Sequence, residues 1–344
     1  MNAAVETAIR RSVDGRNLAR EEMHEVFSAV MDGQTSDVQK SALLVALRMK
    51  GETPDEIAGA TLAMRERVTP LNVDREGLVD TCGTGGDGRG TFNISTVAAL
   101  VAAGAGATVA KHGNRAVSSS CGSADLLAAL GVNIELDADA MTRVLERAGI
   151  AFLFAPRLHP AMSAVAGVRR ELGVRTIFNV LGPLTNPAFA RRQVLGVFSP
   201  RLVPVVARVL ASLGCEHALV VHSRDGLDEI SVSAPTQVAE VYGGEIEEYD
   251  LTPETLGLRT HPADAVGGGD SRQNAEIARQ VLAGGNGARH DVVVANAGAA
   301  LYVGGRVQTL RDGVLAAKES IASGRAAAKL QALISESNAA GGVA

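Results

Sequence analysis

From Leu78 onward the chain alternates short apolar runs with alanine-rich stretches, and this alternation restricts the fold more than any other feature of the sequence. The runs read "GLVDTCG", "ATVAKHG", "AFLFAP", "RQVLGVFS", "HALVVHS" and "HDVVVANAG". Strand-length runs taking turns with helical segments imply a mostly parallel sheet covered by helices. The core must come from small aliphatic side chains, since aromatics make up 3% and Trp is absent; that composition suits helices laid on a parallel sheet. Residues 1–70 lack such runs and read as helices only. Ser36-Asp37-Val38-Gln39 and Thr53-Pro54-Asp55-Glu56 have capping-box spacing before apolar-periodic runs, and Pro54 takes the first helical position. Thr69-Pro70 ends this stretch. The expected fold class is α/β: a small all-helical domain, residues 1–70, and a larger α/β domain, residues 71–344, with a mostly parallel central sheet flanked by helices. Helices within 160–190 could complete the smaller domain.

Composition narrows the partners. A net charge of −5 with scattered basic residues gives no electrostatic reason to expect nucleic acid. The longest apolar run, Val97 to Ala110, is too short to span a bilayer. The N-terminal stretch has no signal-peptide apolar region. Three distant cysteines, Cys82, Cys121 and Cys215, fit free thiols in a reducing compartment, so a cytoplasmic protein with no membrane partner is expected.

The stretch "VDTCGTGGDGRGTFNIST", residues 79–96, contains a literal G-x-G-x-x-G at Gly83, Gly85 and Gly88. A nicotinamide-binding loop also needs an acid about 20 residues on, to hold the ribose hydroxyls. That region reads "GAGATVAKHGNR", with no acid and a cationic cluster in its place. The glycines still make sense as an anion site, because a helix beginning near Ser95 and Thr96 would present N–H groups and its positive dipole end to a phosphate. Thr91, Ser95 and Thr96 add hydroxyls, and Ser95 could instead ligate a metal. A helix merely capped by Asn93 and Ser95 explains the loop equally well by itself.

A second loop, "KHGNRAVSSSCGSADLL" at 111–127, is again rich in donors and leads into another helix near Ser123. Two such loops after successive parallel strands lie side by side, where ligands of α/β sheets bind, and suggest a ligand with two phosphate-bearing ends. Asp228 and Glu229 can converge only if the chain bends, which Gly226 permits; paired carboxylates beside phosphates suit Mg²⁺, and a solvated acidic turn is the alternative. Of Arg169 and Arg170, adjacent on a helix, at most one faces a cleft, where it could clamp a carboxylate; surface charge is the ordinary explanation for both. His112 and Cys121 have nothing to orient them as a nucleophilic pair, and no His/Cys cluster has zinc spacing.

At these residues the chain resembles the anthranilate phosphoribosyltransferase family: "GTGGD" at 83–87, "NIST" at 93–96, "KHGNR" at 111–115, "CGSADLL" at 121–127, "VRRELGVRTIFNVLGPLTNP" at 168–187, and Asp228-Glu229. The resemblance implies transfer of phosphoribosyl from phosphoribosyl pyrophosphate to anthranilate, in tryptophan biosynthesis, with Mg²⁺ required. It also implies a phosphoribosyl pyrophosphate site of Gly83, Gly86, Asp87, Thr91, Asn93, Ile94, Ser95, Thr96, Lys111, His112, Gly113, Asn114, Arg115, Ala116, Val117, Ser118, Ser119 and Ser123. Ser95, Asp228 and Glu229 would hold the metal. Gly83, Asn114 and Arg169 would contact anthranilate, with Asn114 and Arg169 the catalytic candidates, and a homodimer would form through the helical domain. Pyrimidine nucleoside phosphorylases share the architecture but differ in the second-loop and arginine motifs.

Overall fold

The computed structural model describes residues 2–116 and 120–341. Four helices come first: α1 (Ala3–Val13), α2 (Arg20–Met31), α3 (Asp37–Lys50) and α4 (Pro54–Arg65). Both expected capping boxes are made. Ser36 Oγ accepts the Gln39 N–H and Thr53 Oγ1 accepts the Glu56 N–H, while each Gln or Glu side chain reaches back to the cap amide. The Glu56 carboxylate is fully buried and is compensated by Lys50 at 2.8 Å and by the Leu18 N–H at 2.9 Å, which locks α4 to the α1–α2 connection.

The α/β part follows as β1 (Leu78–Asp80), α5 (Ile94–Gly104), β2 (Thr108–Gly113), α6 (Ser123–Leu130), α7 (Ala138–Ala148), β3 (Ile150–Phe154), α8 (Ala155–Leu158), α9 (Ser163–Leu172), α10 (Phe178–Leu184), β4 (Arg192–Gly196), α11 (Leu202–Ser212), β5 (His217–Ser223), β6 (Thr236–Tyr242) and β7 (Glu245–Leu251), and ends with α12 (Ser271–Leu282), α13 (Ala288–Val303), α14 (Leu310–Ala322) and α15 (Arg325–Gly341). The sheet order is β3-β2-β1-β4-β5-β6-β7, with β1 to β5 parallel and β6 and β7 antiparallel. The direction of winding reverses between β1 and β4, the place where open α/β sheets leave a crevice for ligands.

Two elements depart from the expected pattern. "HDVVVANAG" is not a strand: it lies in α13, where Val292 to Ala300 are all buried. A helix surrounded by apolar neighbours has no polar face, so its sequence is indistinguishable from a buried strand by periodicity. The hairpin β6–β7 has no counterpart among the apolar runs. Its edge strand, "EIEEYDL", is mostly exposed and acidic, a composition that guards a sheet edge against pairing with other chains rather than advertising a strand.

The core divides in two. One part runs through α5, the central strands and the C-terminal helices. The other joins α1 to α4 with Val165 and Val168 of α9, Phe178 and Leu181 of α10, the inner face of α11, and Ala218 and Val220 of β5. Helix α5 has no solvent face: Val97, Ala98 and Leu100 to Ala102 are fully buried against α13, α14 and α15. The Val101 carbonyl accepts the Ser320 hydroxyl at 2.9 Å.

Candidate functional site

The crevice beside the switch in strand order is lined by Thr81, Gly83, Ser95, Ala98, Val194, Gly196, Glu229 and Asn296. Three elements build it. The loop after β1 enters α5 at Asn93, β2 and its following loop bring Lys111 alongside, and the turn after β5 delivers Asp228 and Glu229. That turn has Gly226 at φ 91°, the bend needed to aim two adjacent carboxylates inward.

Asp228 and Glu229 are buried beside each other. Burial raises the pKa of both carboxyls well above the usual range; Asp87 adds to the rise at Asp228, and Asp228 to that at Glu229. Glu229 Oε1 accepts the Ser95 N–H at 3.1 Å. Lys111, buried, donates to the Thr81 carbonyl at 2.8 Å and lies 3.5 Å from Ser95 Oγ. Asp87 faces Asp228, and its Oδ2 is buried without a hydrogen-bond partner among the described residues. Carboxylates that face one another with an orphaned oxygen fit a cation. Among the described residues no three His, Cys, Asp or Glu side chains form a closed metal cage. A buried carboxylate pair is a donor set that suits Mg²⁺, which takes one or two carboxylates and completes its sphere with ligand oxygens and water.

Asn93 does not cap α5. Its side chain makes no capping bond and instead donates to the Cys121 carbonyl at 3.0 Å, across to the second loop. Ile94 and Thr96 are buried, and Thr91 pairs with Gly267. Gly83 passes so close to Asp228 that an added Cβ would lie 3.3 Å from Oδ2. Gly86 lies under Arg175, which donates to its carbonyl and stacks over Phe198 at 4.4 Å.

In the second loop Gly113 ends β2 against Ser123 and Phe152. Asn114 is exposed, while its carbonyl accepts from the Ala124 N–H at 3.1 Å and from Ser123 Oγ at 3.2 Å. Asp125 accepts the Ala116 N–H, and Arg115 turns outward to Asp125 and Glu135. Val117, Ser118 and Ser119 lie outside the described residues. His112 meets His159 at 3.1 Å between Nε2 atoms; burial and the facing ring push His112 down to about 3, and burial pushes His159 down to about 4, so the pair is uncharged at neutral pH.

Arg169 and Arg170 separate as the helix geometry requires: Arg170 is exposed and Arg169 half-buried. The Arg169 guanidinium lies 5.2 Å over the Phe178 ring and has no ion pair among the described residues. Burial lowers its pKa.

Sequence reasoning missed several groups that hold this arrangement. Asp80, buried and pushed up to about 6, accepts from the His112 amide at 3.1 Å and from Asn186 at 2.8 Å, and Asn186 also donates to the Ala110 carbonyl at 2.9 Å, so the "LTNP" asparagine fastens β1 to β2. Gly196, at the end of β4, accepts the Thr84 N–H at 2.8 Å and touches the Asp228 backbone. These approaches join residues more than thirty positions apart, and no local pattern announces them.

The profile of the glycosyl transferase family a/b domain matches residues 75–327, and that of the same family's helical bundle domain matches residues 6–68. Anthranilate phosphoribosyltransferases of Anaeromyxobacter sp. (strain Fw109-5) and Pelotomaculum thermopropionicum are 56% and 52% identical to the chain, each over 96% of it and over 98% and 96% of their own lengths. The crystal structure of the Thermus thermophilus enzyme superposes with a TM-score of 0.91 at 48% identity, covering 96% of this chain and 99% of that one. The Saccharomyces cerevisiae enzyme in complex with PRPP and Mg superposes with 0.89 at 28% identity, covering 98% and 99%. With both domains matched, half or more of the residues shared with full-length relatives, and the expected loops meeting at the crevice, the chain belongs to the anthranilate phosphoribosyltransferase family.

Proposed function

We infer that the chain transfers the phosphoribosyl group from 5-phosphoribosyl 1-pyrophosphate to anthranilate, giving N-(5-phosphoribosyl)anthranilate and pyrophosphate in tryptophan biosynthesis, with Mg²⁺ required. The single observation that carries the reading is the convergence of the two donor-rich loops and the acidic turn at one crevice. Ser95, Asp228 and Glu229 would hold Mg²⁺, which supplies positive charge against a pyrophosphate leaving group. As pyrophosphate departs from ribose C1, positive charge grows on the sugar and negative charge on the leaving oxygens. Lys111 and backbone amides of the loops would stabilise the latter. Anthranilate's aromatic amine is neutral at pH 7 and needs no strong base before attack; positioning both substrates is the protein's other contribution.

The residues of both loops named from the sequence form the proposed phosphoribosyl pyrophosphate site, with Gly83, Asn114 and Arg169 at its anthranilate end. Support for Arg169 is its half-buried guanidinium without a carboxylate partner among the described residues, which anthranilate's carboxylate would complement. In an assay following anthranilate fluorescence and pyrophosphate release, the wild-type protein with phosphoribosyl pyrophosphate and Mg²⁺ consumes anthranilate; absence of both signals would overturn the function. Arg169→Ala is expected to raise the KM for anthranilate about tenfold or more, since a charge-assisted pair to the carboxylate is lost, and to leave phosphoribosyl pyrophosphate affinity intact. Equal loss of both would remove Arg169 from that role.

We assign residues 1–70 to a helical domain completed by α9 and α10, on the strength of their shared core, and 71–344 otherwise to the α/β domain. The proposed homodimer forms through the helical domain. Its support is an apolar stripe on α3, with Val38 79%, Val45 36% and Met49 83% exposed, and a further exposed apolar side chain, Val13 at 71%, on α1. The α3 residues are spaced at i, i+7 and i+11 and so share one face, and a second copy would cover them. Val38→Asp combined with Met49→Asp should convert a dimer into a monomer in sedimentation velocity at micromolar concentration; an unchanged dimer would place the interface elsewhere. A cytoplasmic location is proposed from the three cysteines, none of them in a disulfide. No helix among the described residues is long and apolar enough to cross a membrane.

A further inference from the structure

The segment 266–274, to which the motifs assign nothing, touches both loops at once. Val266 and Gly268 run beside the first loop: the Phe92 N–H donates to the Val266 carbonyl at 3.4 Å, the Gly268 N–H donates to the Gly90 carbonyl at 2.9 Å, and Thr91 pairs antiparallel with Gly267. An added Cβ on Gly268 would sit 2.4 Å from the Phe92 nitrogen, so the approach is as close as backbone allows. Against the second loop, Ser120 Oγ donates to the Gly269 carbonyl at 2.7 Å.

At the centre is Asn274 of α12, 1% exposed. Its Oδ1 accepts the Gly269 N–H at 2.8 Å and its Nδ2 donates to Asn93 Oδ1 at 3.0 Å. Asn93 in turn donates to the Cys121 carbonyl at 3.0 Å, and Cys121 Sγ donates to Asn93 Oδ1 at 3.3 Å. One buried amide therefore sets the orientation of another, and that second amide joins the entrance of α5 to the entrance of α6.

We propose that Asn274 is a positioning residue that holds the two loops in a single register for phosphoribosyl pyrophosphate. The proposal rests on the function inferred above. A ligand with two phosphate-bearing ends is sensitive to the separation of its two cradles, because a misplacement of an ångström at either end removes contacts that the other end cannot recover. Hydrogen bonds in a dry, low-dielectric chain orient one another, so losing the first link frees the rest. Anchoring α12 is a separate task, carried by Ala275, Ile277, Ala278, Val281 and Leu282, all buried on the same helix. Replacing Asn274 by Leu, which has the same branching, leaves those anchoring side chains in place and removes the polar chain.

The test compares the wild type with Asn274→Leu, measuring phosphoribosyl pyrophosphate binding by calorimetry in Mg²⁺ and steady-state kinetics for both substrates. Asn274→Leu is expected to raise both Kd and KM for phosphoribosyl pyrophosphate by about tenfold or more, while the KM for anthranilate changes much less. In an Asn93→Ala background the same replacement should add little, because its effect passes through Asn93. A folded Asn274→Leu with wild-type phosphoribosyl pyrophosphate affinity overturns the proposal, as does full additivity with Asn93→Ala. If Asn274→Leu does not fold, Ser120→Ala decides: the residue is exposed, and loss of its hydroxyl should weaken phosphoribosyl pyrophosphate binding and not anthranilate use, an unchanged binding constant being the adverse result. A wild-type protein inactive with these substrates would instead count against the function.

Discussion

Gly196→Ala is expected to abolish most turnover and to lower the melting temperature. The Cβ it introduces would be 1.5 Å from the Asp228 carbonyl oxygen, where real Cβ atoms do not come within 3.0 Å, so the backbone of the acidic turn has to move. Overpacking of this kind costs about 1–3 kcal/mol in a core that can give way, and here the obstacle is backbone, which gives least. The functional loss should exceed the stability loss. Gly196 also accepts the Thr84 N–H, so displacement carries the first loop and the Asp228–Glu229 pair out of place together; roughly 10²-fold in turnover is the scale attached to such misplacement. Calorimetry and the pyrophosphate-release assay measure the two effects. A variant of wild-type activity and melting temperature would mean that the turn after β5 is not seated on β4 as described.

Asp228→Asn with Glu229→Gln should separate function from stability in the opposite sense. The replacements keep shape, and the amide oxygen introduced by Glu229→Gln could still accept the Ser95 N–H, so packing is preserved. What disappears is a pair of carboxyls whose ionisation is opposed by burial and by neighbouring acids, Asp87 at Asp228 and Asp228 at Glu229. Burial of unpaired charge opposes folding, and carboxyls whose folded pKa is raised destabilise the fold at pH above their unfolded carboxylate range, by an amount that grows until pH passes the folded pKa, so the penalty is present at neutral pH. The melting temperature in metal-free buffer should therefore rise, while turnover at a fixed Mg²⁺ concentration falls on the order of 10³-fold, since the charge that would hold the cation is gone. A site that lowers stability to obtain function follows the usual trade between the two. A Mg²⁺ titration like that of the wild type would remove these two residues from the metal site, and a lower melting temperature would make the pair a structural element.

Much of this architecture is legible in the chain, for identifiable reasons. Ser36 and Thr53 announce α3 and α4 because capping is local: donor, acceptor and spacing all lie within four residues. Strands β1 to β5 are legible because runs buried on both faces stay apolar throughout. The same logic misreads "HDVVVANAG", since a helix buried all round is just as continuous, and it overlooks "EIEEYDL", whose role at a sheet edge selects charge. In the site, the neighbourhood of the two loops follows from strand order, and the burial of Arg169 rather than Arg170 follows only once α9 is docked. Gly196, Asp80 and Asn274 are illegible for another reason: each matters through one remote partner, and a sequence does not state which remote segments meet.

Helix α5 has a consequence for the order in which the molecule can be made. Its N-terminal turn carries Ser95 and Thr96, but its sides are covered by α13, α14 and α15, which come from residues 288–341. During synthesis this helix emerges with its Val, Ala and Leu side chains uncovered, and their shelter appears nearly two hundred residues later. The α5 side of the crevice therefore lacks its packing partners until the end of the chain is made, even though its sequence is translated in the first third. A nascent chain interrupted before α13 would carry the loop motifs intact and an apolar helix with nothing to cover it.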